Sequence, residues 1–176
     1  LFRGVILPVR SLISKEEIQH RIIQLANQIN SDYRGKDLVV VCVLNGAFVF
    51  CPDLIRRVDQ PILVDFVKVS SYGDQKVSSG NLKIDLDLKV DIKGKHVLVV
   101  EDIVDTGLTL SCLMERFNLL DPASLKLASF LHKPGQTKFK VDIDYLGFEI
   151  PNLFVVGYGL DYAGLYRELP YLGVLE

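Results

Sequence analysis

The chain has 176 residues, 49% of them hydrophobic and 24% charged, with a formal net charge of −2. That length supports a sizeable core, and the composition is that of an ordinary globular protein. The charge balance implies no general affinity for nucleic acid and leaves room for a local basic site. No apolar run is long enough to span a bilayer, and no signal-peptide pattern is present. Cys42 and Cys112 lie in apolar stretches and read as core residues. With Cys51 they form no Cys-x-x-Cys pair, so a reducing cytoplasm is expected.

In chain order, Leu1 to Ser11 is weakly patterned and reads as an extended or edge segment. Ser14-Lys15-Glu16-Glu17 is a capping-box pattern. Ile18, Ile22, Leu25 and Ile29 behind it form one face of an amphipathic helix, with Gly35 just past its end. Leu38 to Leu44 is continuously apolar, as a strand buried on both faces requires. Asn45-Gly46-Ala47 and a helical stretch to about Arg57 follow it. Ile62 to Val69 reads as a strand interrupted by Asp65 and Lys68. Ser70 to Gly80 is small, polar and glycine-containing, a loop pattern. Asn81 to Val90 alternates Leu82, Ile84, Leu86 and Leu88 with charged residues and reads as a strand or ribbon with one wet face.

Val97 to Thr109, VLVVEDIVDTGLT, carries the chemistry. A buried strand ends in Glu101 and Asp102, and Asp105-Thr106-Gly107-Leu108-Thr109 then opens a helix with Leu110, Leu113, Met114 and Phe117 at helical spacing. Free N–H groups and the positive end of the helix dipole meet at such a turn, which makes it an anion site. Gly107 permits close backbone approach, and Thr106 and Thr109 offer hydroxyls. Taken singly, each acid also fits a plain structural role: Glu101 and Asp102 as solvated charges, Asp105 as a helix N-cap. Leu44-Asn45-Gly46 repeats the strand, glycine and helix-start arrangement and suits either a second anion site or a simple helix entry. Asp121-Pro122 ends the helix after the cradle. Ser124 to Leu131 reads as a strand leading into His132-Lys133-Pro134-Gly135. From Asp144 to Tyr162 two short strands with turns are expected. His20 and His96 show no partner pattern, and no zinc spacing exists.

Glu101 to Thr109 resembles the phosphoribosyl-diphosphate signature of the phosphoribosyltransferases. From Leu38 to the C-terminus the chain is similar to the hypoxanthine-guanine branch, with several motifs in the expected order. The resemblance implies the type I phosphoribosyltransferase fold: α/β, a mainly parallel central sheet flanked by helices, and a small hood formed by terminal segments, all in one domain over residues 1–176. It implies transfer of a phosphoribosyl group from 5-phosphoribosyl 1-diphosphate (PRPP) to hypoxanthine or guanine, giving IMP or GMP and pyrophosphate.

The same resemblance distributes the roles. Glu101, Asp102, Asp105, Thr106, Gly107, Leu108 and Thr109 would hold the ribose and 5′-phosphate, with Asp105 as general base at purine N7. Leu44, Asn45, Gly46 and Arg167 would meet pyrophosphate. Lys133 would donate to the purine O6, Phe154 would stack on the base, the Val155 backbone would read its edge, and Asp161 would lie near both base and metal. Ser71 and Tyr72 match the family's active-site lid. Mg2+ is the implied cofactor, with Glu101, Asp102 and Asp161 as its carboxylates. Two departures stand out: relatives often carry lysine where Asn45 stands, and a polar or basic residue where Leu108 stands. The implied partners are small molecules (PRPP, 6-oxopurine, pyrophosphate and nucleoside monophosphate), without nucleic acid or membrane, and the implied assembly is a homodimer or homotetramer. Other readings are a regulator that keeps the fold but binds nucleotide or RNA, a different nucleotide-binding α/β protein, and the same chemistry on xanthine. The G-x-G-x-x-G and G-x-x-x-x-G-K-[ST] patterns are absent.

Overall fold

The computed structural model describes residues 7–70 and 83–176. Val9–Ile13 forms β1, and Lys15–Asp32 forms α1. The capping box is complete: Glu17 N donates to Ser14 Oγ, and Ser14 N donates back to the Glu17 carboxylate. Ile18, Ile22, Leu25, Ala26 and Ile29 are the buried stripe of α1. β2 (Leu38–Leu44) leads through a 3-10 turn (Gly46–Phe48) into the short α2 (Phe50–Ile55). β3 (Leu63–Ser70), β4 (Lys83–Leu86) and β5 (His96–Val104) follow, then α3 (Leu108–Asn118). The remaining strands are β6 (Ser124–His132), β7 (Tyr145–Glu149), β8 (Val155–Val156) and β9 (Leu172–Leu175). Among the described residues no helix is long and apolar enough to cross a membrane.

The strands form a six-stranded sheet, ordered β4-β3-β2-β5-β6-β7, and a three-stranded one, ordered β1-β9-β8. In the large sheet only the β3–β4 pair is antiparallel. Its central strands are apolar on both faces because both faces are covered. Val40, Cys42, Leu98 and Val100 pack with α1 and α2, whereas Val39, Val41, Val97 and Val99 pack with Leu110, Leu113 and Phe117 of α3. The chain therefore leaves β2 on one face and β5 on the other, although the two strands are neighbours. That divergence opens a crevice at their carboxyl ends, where open α/β sheets bind ligands. The small sheet joins the N-terminal β1 to the C-terminal β9 in antiparallel register, Val9 opposite Leu175, and forms the hood that the family resemblance implies.

Several expectations change in detail. The alternating stretch from residue 81 to 90 is not one strand, because β4 stops at Leu86. The chain is diverted by Asp65, which is 7% exposed and accepts N–H bonds from Phe66 (2.8 Å), Lys89 (2.6 Å) and Val90 (2.9 Å). Leu88 and Val90 then pack on the α3-side core, and Asp87 pairs with Arg116 rather than standing free in water. The helical stretch after Gly46 divides into the 3-10 turn and α2. His96 has a partner after all, with its Nδ1 2.7 Å from Ser124 Oγ across the β5–β6 pair. The β9 strand had no counterpart in the expected elements.

Burial pushes the Asp65 carboxyl pKa up, but three backbone N–H donors outweigh it and hold the group below its ordinary range. Its stabilising contribution is therefore present above that range and lost as pH falls through the folded-state value. We expect Asp65→Asn to unfold more easily by about 2 kcal/mol near neutral pH. Urea unfolding across pH should show that deficit shrinking in acid.

Candidate active site

The cradle lies where β5 gives way to α3. Gly107 is the N-cap residue, in the left-handed region at φ 83°. A Cβ there would also overlap the carbonyl of Phe139. Lys138 N and Phe139 N each donate to Thr106 O at 3.0 Å, so the segment after β6 buttresses the turn from behind. The first helical bond of α3 is Ser111 N to Gly107 O. The N–H groups of residues 108 to 110 precede it, and like those of any helix start they have no partner within the helix. Glu101, Asp105, Thr106, Gly107 and Thr109, with apolar neighbours, line a hollow of about 110 Å³. Thr106 Oγ1 is 3.5 Å from Leu108 N. Asp105 precedes the cap rather than serving as it, so its simple N-cap role is excluded.

Glu101 is 8% exposed. Its Oε1 accepts Asp102 N at 2.9 Å, and Asp102 Oδ1 accepts Ile103 N at 2.7 Å. Burial first, then the adjacent Asp102 carboxylate, pushes the Glu101 pKa well above the usual range. The Asp102 carboxylate lies directly against Gly46, in the place a Cβ of that residue would take. The peptide between Leu44 and Asn45 is cis, and the Asn45 side chain is exposed.

The C-terminal segment closes on the other side of this turn. A Cβ on Gly159 would overlap the carbonyl of Gly46. Gly159 N donates to Arg167 O at 3.0 Å, and Arg167 Nη1 donates to Gly159 O at 2.6 Å. Arg167 Nη2 also pairs with Asp161 Oδ1 at 2.7 Å, while Asp161 Oδ2 accepts Gly164 N at 2.8 Å. Tyr158, Ala163 and Tyr166 adopt left-handed φ values of 50°, 50° and 76° within this stretch. Such conformers persist only where the surroundings over-determine them. Asp102, Gly46, Gly159, Arg167 and Asp161 thus form one chain of contacts.

Lys133 is 8% exposed. Its N donates to Val104 O at 2.9 Å, which registers the end of β6 against that of β5. Its Nζ stands 4.0 Å from Asp105 Oδ2. Phe154 is 57% exposed, its ring edge-on to Tyr162 at 5.7 Å, while Val155 is buried in β8. These two are not tied to the acidic residues as the others are. Ser71 and Tyr72 lie outside the described residues. Sequence reasoning missed Gly159, Phe139 and Thr137. The Gly-Tyr-Gly repeat at residues 157–159 was a visible signal for the first, whereas nothing marked the other two.

Among the described residues no group of three or more acidic, histidine or cysteine side chains forms a ready-made metal cage. Glu101 and Asp102 instead offer paired hard oxygens at the end of β5, ahead of the turn that opens α3. That set suits Mg2+, which keeps waters and binds through one or two carboxylates plus phosphate oxygens.

Residues 12–163 match the family described as phosphoribosyl transferase domain, the class of protein that this sheet, switch point and cradle define. Hypoxanthine-guanine phosphoribosyltransferase of Bacillus subtilis is 47% identical over 165 residues, 94% of this chain and 92% of that protein. A crystal structure of a hypoxanthine-guanine phosphoribosyltransferase from Bacillus anthracis, with a HEPES molecule in its active site, superposes with a TM-score of 0.92. It is 43% identical, and the match covers 97% of this chain and 100% of that one. The bifunctional protein TilS/HprT of Listeria monocytogenes is also 47% identical over 165 residues, and there the chain spans 26% of the relative's length. The chain belongs to the hypoxanthine-guanine phosphoribosyltransferase family.

A carboxyl whose pKa is raised by folding lowers stability as pH rises above its ordinary value, because the folded state then binds the proton more tightly than the unfolded chain. We expect Glu101→Gln to melt higher than the parent at about pH 8 and the difference to vanish near about pH 4, where an unfolded Glu also takes up its proton. Paired thermal melts at the two pH values test this.

Proposed function

We propose that the protein transfers the phosphoribosyl group of PRPP to hypoxanthine or guanine, releasing pyrophosphate and forming IMP or GMP in purine salvage. The observation that carries the substrate choice is Lys133 Nζ, 4.0 Å from Asp105 Oδ2 at the ends of adjacent parallel strands. A 6-oxopurine presents an O6 acceptor beside N7, so a lysine donor next to a carboxylate acceptor matches that edge. A 6-aminopurine would set its amino donor against the lysine.

In this mechanism the bond between the anomeric carbon and the diphosphate oxygen breaks, purine N9 takes its place, and Asp105 accepts the N7 proton as general base. The sugar passes through an oxocarbenium-like state. The 108–110 N–H groups and the hydroxyls of Thr106 and Thr109 hold the 5′-phosphate, while Gly107 and Leu108 contribute backbone. Glu101 and Asp102 orient the ribose hydroxyls. The Leu44, Asn45 and Gly46 backbone and Arg167 receive the leaving pyrophosphate. Phe154 stacks on the base, the Val155 backbone reads its edge, and Asp161 lies beside it. Glu101, Asp102 and Asp161 would hold Mg2+, which when bound would supply charge neutralisation to the diphosphate. On this proposal the protein works in the cytoplasm on diffusible substrates, as one domain over residues 1–176. Its assembly is a homodimer or homotetramer, a reading supported by Leu63, Val64 and Phe66, which β3 leaves exposed as apolar surface of the kind subunit contacts cover.

Purified protein with PRPP and Mg2+ should form nucleotide from hypoxanthine or guanine and none from adenine, followed by absorbance. Asp105→Asn should lose about 10²-fold or more in turnover. Failure with every 6-oxopurine would overturn the proposal, and turnover on xanthine alone would redirect it. Gly46→Ala, which displaces the Asp102 carboxylate, should lower kcat/KM for PRPP by about 10²-fold without loss of the fold, as read by circular dichroism.

A further inference from the structure

We propose that Thr137 is a positioning residue that sets the separation of Asp105 and Lys133, a role that rests on the transferase reading above. Asp105 follows β5 and Lys133 follows β6, and their side chains meet without a short hydrogen bond. What joins their main chains from outside the sheet is one hydroxyl. Thr137 Oγ1 lies 3.1 Å from the carbonyl of Asp105 and 3.2 Å from that of Lys133. It also lies 3.0 Å from His132 Nε2.

A hydroxyl has a single proton and two lone pairs. If His132 Nε2 were the acceptor, it would take that proton and both carbonyls would lose it. If Nε2 carries hydrogen, it donates into a lone pair and the Thr137 proton is left to the two carbonyls. Both the Nε2–H tautomer and the imidazolium donate in this way. The two carbonyls at 3.1 and 3.2 Å can only accept, so the arrangement that satisfies all three contacts has Nε2 as the donor to Thr137 Oγ1. His132 therefore orients the hydroxyl, and the hydroxyl holds two strand ends in register at the point where two side chains must meet one edge of a purine. The neighbouring bonds are main chain to main chain and independent of side-chain identity: Lys133 N to Val104 O, and Lys138 N and Phe139 N to Thr106 O. Thr137 is the side chain that adds to them.

The test compares wild type, Thr137→Val, Thr137→Ser and His132→Phe by steady-state kinetics, with melting temperatures measured alongside. Thr137→Val keeps the shape and removes the hydroxyl. Its kcat should fall about tenfold while KM for PRPP stays within about twofold, because the cradle is untouched and only the base and lysine are misplaced. Thr137→Ser should recover kcat to within about threefold of wild type, and His132→Phe should lose about threefold with Thr137 still present. Equal kcat in wild type and Thr137→Val would overturn the role. So would a loss that tracks melting temperature and is not recovered by serine. A wild-type protein that transfers to no 6-oxopurine would overturn the transferase reading and this role together. An active wild type indifferent to residue 137 would overturn this role alone.

Discussion

The site depends on one close approach. β2 and β5 are adjacent, their following helices leave on opposite faces, and the turn after β2 comes into contact with the end of β5. That contact is Asp102 against Gly46. With no Cβ on Gly46, a carboxylate lies against bare backbone, and the crevice between the strands becomes a narrow acidic seam rather than an open gap. Gly159 repeats the device from the hood side, seating against the Gly46 carbonyl and bringing Arg167 and Asp161 with it. Two glycines, far apart in the chain, let three segments share a space that side chains would fill.

The charges around this seam are unevenly solvated. Glu101 and Lys133 are buried, while Asp105 is half exposed. Burying a carboxyl beside a second one disfavours its ionised form, so the seam carries less negative charge than its three acids suggest. On the proposed function, that lowers the repulsion met by incoming phosphates. The buried lysine has the Asp105 carboxylate at 4.0 Å.

The α/β alternation, the buried strands and the cradle were legible because each rests on local pattern: continuous apolar runs, a capping box, and a glycine turn before a helical repeat. The acids at 101, 102 and 105 could be placed on the strand end from their position alone. What sequence could not show was assembled across distance. Asp65 looked like an interruption in β3, whereas it takes the amides of residues 89 and 90 and thereby ends β4. The alternation of Leu82 to Leu88 promised a longer strand, and that remote carboxylate overrode it. Thr137 carries no motif, since its importance arises from where the ends of β5 and β6 bring it. The departure at Asn45 reads differently with its side chain exposed: the close contacts at that turn are made by the backbone of its neighbour.

The pairing of β1 with β9 carries a consequence for the order in which the chain acquires its shape. The large sheet draws on segments between Leu38 and Glu149, each strand close in sequence to one it pairs with. The hood instead joins Val9 to Leu175, nearly the full length of the described chain, and closing so long a loop is the slowest kind of contact to form. During synthesis the scaffold can assemble while β9 is still unmade, and β1 must wait for it. Arg167 and Asp161 stand just ahead of that last strand. The hood contacts span the longest sequence separation in the fold, so by loop-closure entropy they are expected to form after the scaffold they cover.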